Sequence, residues 1–160
     1  MTNIFDAVQD IDGQGKRISS NESFRVESTW TFVAGTTGAI GQHTLFTVTG
    51  NVLVQVFGVC DTSLNSGGAA TLSIGTANNV AKLHDDRVYT ATEIDDGDLV
   101  SGNLPESPDV STLPGVYLLN DGADITLDIL VATITAGVID FYCLWRPLSS
   151  NGNVEATTPA

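Results

Sequence analysis

Residues 115–155, GVYLLNDGADITLDILVATITAGVIDFYCLWRPLSSNGNVE, decide the fold. Three runs, at 116–119, 125–134 and 138–145, are rich in β-branched and aromatic residues and change face with a period of two. That is the pattern of half-buried strands. Asn120-Asp121-Gly122 and Thr135-Ala136-Gly137 separate the runs with residues that accept turn geometry, so the stretch reads as an antiparallel meander. Pro147 lacks the N–H that a ladder needs and stops the last strand, after which 149–160 reads as a flexible C-terminal tail.

The pattern continues upstream. In SFRVESTWTFV, Phe24, Val26, Trp30 and Phe32 share one face, and Arg25, Glu27, Thr29 and Thr31 share the other. HTLFTVT and VLVQVFGVC follow, joined by Gly50-Asn51 in what reads as a hairpin connection. In the second run Val52, Val54 and Val56 alternate with Leu53, Gln55 and Phe57, so both faces are largely apolar. Such a strand belongs in the middle of a sandwich or against a neighbouring subunit. Residues 61–70 read as a loop, and 70–83 as one or two short strands around Asn78-Asn79. Residues 84–115 hold three of the 5 prolines and many acids. They read as a short strand at 87–89, one helical turn near 92–95 and a long surface excursion. No helical period of useful length occurs. The expected fold is all-β: a single-domain antiparallel β-sandwich over 23–148, of jelly-roll type, with an immunoglobulin-like sandwich as the alternative. Residues 1–22 read as an N-terminal arm, either one helical turn or an extended segment that orders against a partner.

Composition narrows the function. A chain of 160 residues with 42% hydrophobic residues can hold a core, and 19 acids against 6 bases leave a formal charge of −13. The bases Lys16, Arg17, Arg25, Lys82, Arg87 and Arg146 are scattered, which argues against a nucleic-acid partner, since phosphate binding needs clustered cations. No segment has the ~18 uninterrupted apolar residues of a membrane helix, and MTNIFDAVQDIDGQGK does not read as a secretory signal. Cys60 and Cys143 both sit in apolar runs and outside any C-x-x-C pattern. They read as buried free thiols, with a disulfide between them left open.

Few residues could carry chemistry. Asp10-Ile11-Asp12-Gly13-Gln14-Gly15 resembles the opening of a calcium loop, but Asn21 stands at the twelfth position and Glu22 falls one place late. Asp95, Asp96 and Asp98 flank Gly97 in an acidic knot that could hold calcium or magnesium and otherwise reads as a hydrated turn. His84-Asp85-Asp86 is a His–carboxylate cluster without a G-x-S-x-G nucleophile, and His43 is far off in sequence. Trp30 and Trp145 alternate in phase with other apolar residues and read as core or interface rather than sugar platforms. The phosphate cradles of nucleotide-binding proteins are missing too. The expectation is a protein without enzymatic activity, cofactor or required metal, which works by contact with other protein subunits. Val52, Val54, Val56 and Phe57 are the candidate subunit interface. Ile4, Phe5, Val8 and Ile11 are the apolar anchors with which the arm would dock.

TLSIGTANNVAKL, TATEIDDGDL and DITLDILVATITAGVIDFYCLWRPLSSNGNV resemble virion proteins of tailed bacteriophages. The likeness spans about residues 24–150 and is carried by structural motifs, above all the aromatic strand ending in Trp145-Arg146-Pro147-Leu148. It implies a small jelly-roll protein that decorates or cements the capsid, often as a homotrimer, with itself and the phage major capsid protein as partners. The implied location is the capsid surface of the virion, after assembly in the host cytoplasm. The resemblance brings no catalytic residue with it. A tail, baseplate or fibre-associated virion protein and a carbohydrate-binding β-sandwich module are the alternatives.

Overall fold

The computed structural model describes residues 10–11, 17–18, 23–84, 88–101 and 113–158. Two antiparallel sheets face each other. The first runs β3 (Phe24–Thr31), β11 (Ile134–Pro147), β5 (Val52–Ser66) and β8 (Leu99–Val100), with β9 (Tyr117–Leu119) also paired to β5. The second runs β12 (Asn153–Ala156), β4 (Gly41–Thr49), β10 (Ile125–Leu130), β6 (Thr71–Thr76) and β7 (Tyr89–Thr90). A separate two-stranded pairing joins β1 (Asp10–Ile11) to β2 (Arg17–Ile18). Short 3-10 turns at Lys82–His84 and Ala91–Glu93 are the helical structure among the described residues, the second close to the expected helical turn. The chain is therefore an all-β sandwich, as its alternating pattern requires.

Inward-facing residues of both sheets fill the space between them: Trp30, Phe32, Phe46, Ile74, Leu127 and Phe141 are all buried. Packing of this kind stabilises a domain by roughly 1.5–3 kcal/mol for each large apolar side chain removed from water. Close approach fixes some glycines. A Cβ on Gly75 in β6 would collide with the Asn79 carbonyl oxygen, so only glycine lets the 77–84 segment lie on that sheet.

The expected meander does not form. β9 and β11 belong to the first sheet and β10 to the second, so none of the three closing strands pairs with another. Gly50-Asn51 is likewise no hairpin, because β4 and β5 lie in opposite sheets. In each case the alternation marks which residues share a face, while the turn arches from one sheet to the other. The expected strand 125–134 breaks at Val131, whose φ of 71° is left-handed. That conformation is rare for a β-branched residue, and it swings the chain between sheets. Thr135-Ala136-Gly137 is no turn but part of β11, where the register against β5 shifts repeatedly as in a series of bulges.

Two segments expected to be irregular are strands. β5 continues through Ser66 because Leu64 remains buried and β11 keeps pairing with it. The expected flexible tail contains β12, which pairs with β4 from Asn153↔Thr49 to Ala156↔Phe46 and buries Val154.

Candidate interaction surfaces

The candidate sites scatter over the sandwich. Val52, Val54 and Val56 are 0–1% exposed in the core, which corrects their expected place in a subunit interface. They face inward because β5 is central in its sheet and its valine row is the one opposed to the second sheet. Phe57 is on the other face, half-buried, and stacks on Tyr142 at 5.3 Å. Ile4, Phe5 and Val8 of the arm lie outside the described residues, as do Asp12, Asp85 and Asp86, and of Ile11 only the backbone pairing is described.

The acidic knot closes on itself. Asp98 accepts a hydrogen bond from the Asp95 N–H at 2.8 Å through its carboxylate, and the Asp96 N–H donates to Ser63 Oγ at 2.9 Å. Gly97 N–H donates to the Cys60 carbonyl, and Cys60 N–H to the Asp98 carbonyl, which ties the knot to the edge of β5. Its carboxylates thus cap a turn. Among the described residues no group of three or more His, Cys, Asp or Glu comes together as a metal site. His84 is buried with Nε2 at 3.2 Å from the Val56 carbonyl and its ring edge-on to Tyr89. His43 sits elsewhere, Nε2 2.9 Å from the Ala39 carbonyl and its ring edge-on to Trp30. The two histidines do not converge.

Both tryptophans are packed inside, Trp30 donating from Nε1 to the Thr37 carbonyl and Trp145 lying against Phe24 at 4.8 Å. Both cysteines are buried free thiols. Burial pushes the Cys60 thiol up to about 11, with a backbone hydrogen bond at Thr62 opposing, and pushes Cys143 up to about 12. Neither is a nucleophile near neutral pH.

What the sandwich does present is uncharged surface. Residues 28–60, 62–81 and 129–139 contain no Asp, Glu, Lys or Arg. The structure gathers parts of these three stretches at one end. Ile134 N–H donates to the Gly38 carbonyl, Gly67 N–H to the Thr133 carbonyl, and Thr135 Oγ1 to the Asn65 carbonyl. On this end Val33, Ile40, Leu130 and Val131 are 41–71% exposed. Val131 is the strained residue, and strain at an exposed position of this type costs about 1–3 kcal/mol. The signal was present in the sequence as missing charge. Alternation could not find it, because Val33, Ile40 and Val131 belong to connections and Leu130 to the last position of a strand.

The two outer sheet faces also differ. The second sheet presents Gln42, Thr44, Asp128 and Glu155, a polar face of the ordinary solvated kind, beside the buried Thr126. The first sheet presents Leu53, Phe57, Tyr142 and Leu144 in one registered patch. Tyr142 is held above its ordinary pKa by burial, then by Glu27 and Asp140, with Arg25 opposing.

Comparison with known proteins returned no matching family model, no matching curated protein and no matching solved structure.

Proposed function

We propose that this chain is a non-enzymatic virion structural protein of a tailed bacteriophage, a decoration or cement protein that binds the mature head across capsomer junctions as a homotrimer. The observation that carries this reading is the uncharged end. A protein of formal charge −13 has concentrated exposed Val33, Ile40, Leu130 and Val131 where three charge-free stretches meet. Exposed apolar surface of that kind marks contact with another protein. The sequence resemblance described above names the partner as the major capsid protein.

The sandwich in this reading is a jelly roll. The order β3-β11-β5-β8 in one sheet and β4-β10-β6-β7 in the other supports it, since these eight strands interleave with the crossovers of two Greek keys. A protein that binds only the assembled shell stabilises that state by mass action. Several weak contacts per oligomer add through multivalency, so opening a junction must break them together. The arm residues Ile4, Phe5, Val8 and Ile11 would extend the contact across the junction.

Electron cryo-microscopy of virions from the parent phage tests the location directly, and density on the tail or on neither structure would overturn it. In a binding assay on mature heads, Ile40→Asp with Val131→Asp should abolish decoration while the sandwich stays folded. Deleting residues 1–15 should do the same. Full occupancy by the truncated chain would remove the arm from the reading, and full occupancy by the double variant would remove the uncharged end.

A further inference from the structure

We infer that the outer face of the β3–β11–β5 sheet is the surface on which a second copy of this chain docks. The inference goes beyond the reading above: a face that meets its like pairs two copies about a twofold axis, a contact separate from the threefold one of a trimer. Cross-strand register builds the patch: Tyr142 stands opposite Phe57, Leu144 opposite Gln55, and Leu53 opposite both Arg146 and the 53%-exposed Leu118 of β9. Antiparallel sheets with one solvated face carry polar residues there. The second sheet of this sandwich obeys that rule, whereas the first sets Leu53, Phe57, Tyr142 and Leu144 among Arg25, Glu27, Asp140 and Arg146.

Charge decides in favour of a copy of the same chain. Within residues 25–29, 53–59 and 140–146 the charged side chains are Arg25, Glu27, Asp140 and Arg146, which cancel. All of the formal −13 therefore falls on the rest of the chain. Two such molecules repel one another over most orientations, and the repulsion vanishes where this neutral face meets its like. The face is also self-complementary in sign. Arg25 lies 3.7 Å from Glu27 and over the Tyr142 ring at 5.9 Å, both side chains are well exposed, and each can exchange partners with a facing copy.

Its composition is that of an interface core, with Leu, aromatic residues and Arg in contact. A shallow cleft of about 160 Å³ between Leu53, Val116, Leu144, Gln55, Ser23 and Arg146 gives a neighbouring side chain a place to insert. Three strand columns about 4.8 Å apart and seven residues of about 3.4 Å each make roughly 340 Å² of projected sheet. That is somewhat under half of the ~800 Å² each partner contributes to a standard interface, and Leu118 of β9 and side-chain relief add to it.

The test is light-scattering mass measurement on the full chain over a dilution series. The intact protein should weigh an even multiple of 16.8 kDa, since a face that meets its like joins copies in pairs. Leu53→Glu with Leu144→Glu should weigh a single chain, its association weakened at least about 100-fold, with the β-sheet circular dichroism spectrum intact. Arg146→Glu, a rim change that leaves the apolar packing alone, should weaken association about tenfold and decides the matter if the double variant misfolds. An intact chain of single-chain mass, or variants that keep the oligomer, would overturn the inference. If the intact chain is monomeric and removal of residues 1–22 newly exposes Phe57 and Tyr142, the cover is the chain's own arm and not a second copy. Head binding separates the two readings: a monomer that still decorates heads sinks this face and the homotrimer and leaves decoration standing. An oligomer dissociated by these variants but absent from heads sinks only the decoration reading.

Discussion

Gly75→Ala should detach the 77–84 segment from the second sheet. Gly75 lies in β6 between β10 and the segment that folds back over it, and its backbone is outside the left-handed region, so alanine itself fits a strand there. The added Cβ does not fit. It would overlap the Asn79 carbonyl oxygen and approach the Val80 carbonyl oxygen to 2.7 Å, and backbone cannot rotate aside as a side chain would. Moving that segment breaks the mutual hydrogen bonds between Thr76 and Asn79 and the one from Ser73 Oγ to the Val80 carbonyl. Each contributes about 1 kcal/mol net. It also pulls on Leu83, now 2% exposed, whose burial stabilises by about 2 kcal/mol. A loss of about 3–5 kcal/mol follows, equivalent to a fall in melting temperature of roughly 10 °C for a chain of this size. Urea unfolding followed by tryptophan fluorescence measures it. Gly67→Ala is the matched control: a Cβ there meets nothing within 4 Å, so it should be neutral or slightly stabilising. A Gly75→Ala variant within about 1 kcal/mol of the parent, or a Gly67→Ala variant just as unstable, would refute the close-approach argument.

Neither cysteine should react with a thiol reagent in the native protein at pH 8, and both should react once the chain unfolds, because burial holds them up to about 11 and about 12 against an ordinary 9.0. The same shifts fix a pH trend. Above pH 9 the unfolded chain loses thiol protons that the folded chain keeps, so stability conferred by neutral buried thiols is complete below pH 9 and falls above it. A denaturant midpoint that rises between pH 9 and 11 would contradict this sign. Removing residues 153–160 should cost about 2–4 kcal/mol through loss of the β12 ladder and of buried Val154, and should promote aggregation by baring the edge of β4. An unchanged melting temperature would return these residues to a passive tail.

The sequence by itself determined that this chain is an all-β sandwich and which residues share a strand face. Val52, Val54, Val56, Phe141 and Trp145 could be read as one-sided rows because side chains alternate strictly along a strand, and burying a row is a local requirement of each segment. The two apolar faces of β5 were legible as well. Which of them faces the core was not, since that depends on where the opposite sheet lies. Strand partners were equally hidden. Gly50-Asn51 and Asn120-Asp121-Gly122 supply the reversals a hairpin needs, yet the same residues serve an arch between sheets, and the choice depends on strands far away in the chain. The tertiary structure alone made β12 a strand, since Val154 gains its burial from β4 and nothing in its own neighbourhood offers it. It also gathered three charge-free stretches at one end and gave one sheet an outer face without net charge, with an apolar patch at its centre. Alternation sets the face of a residue within a few positions, whereas pairing and surface are decided by contacts between segments distant in sequence.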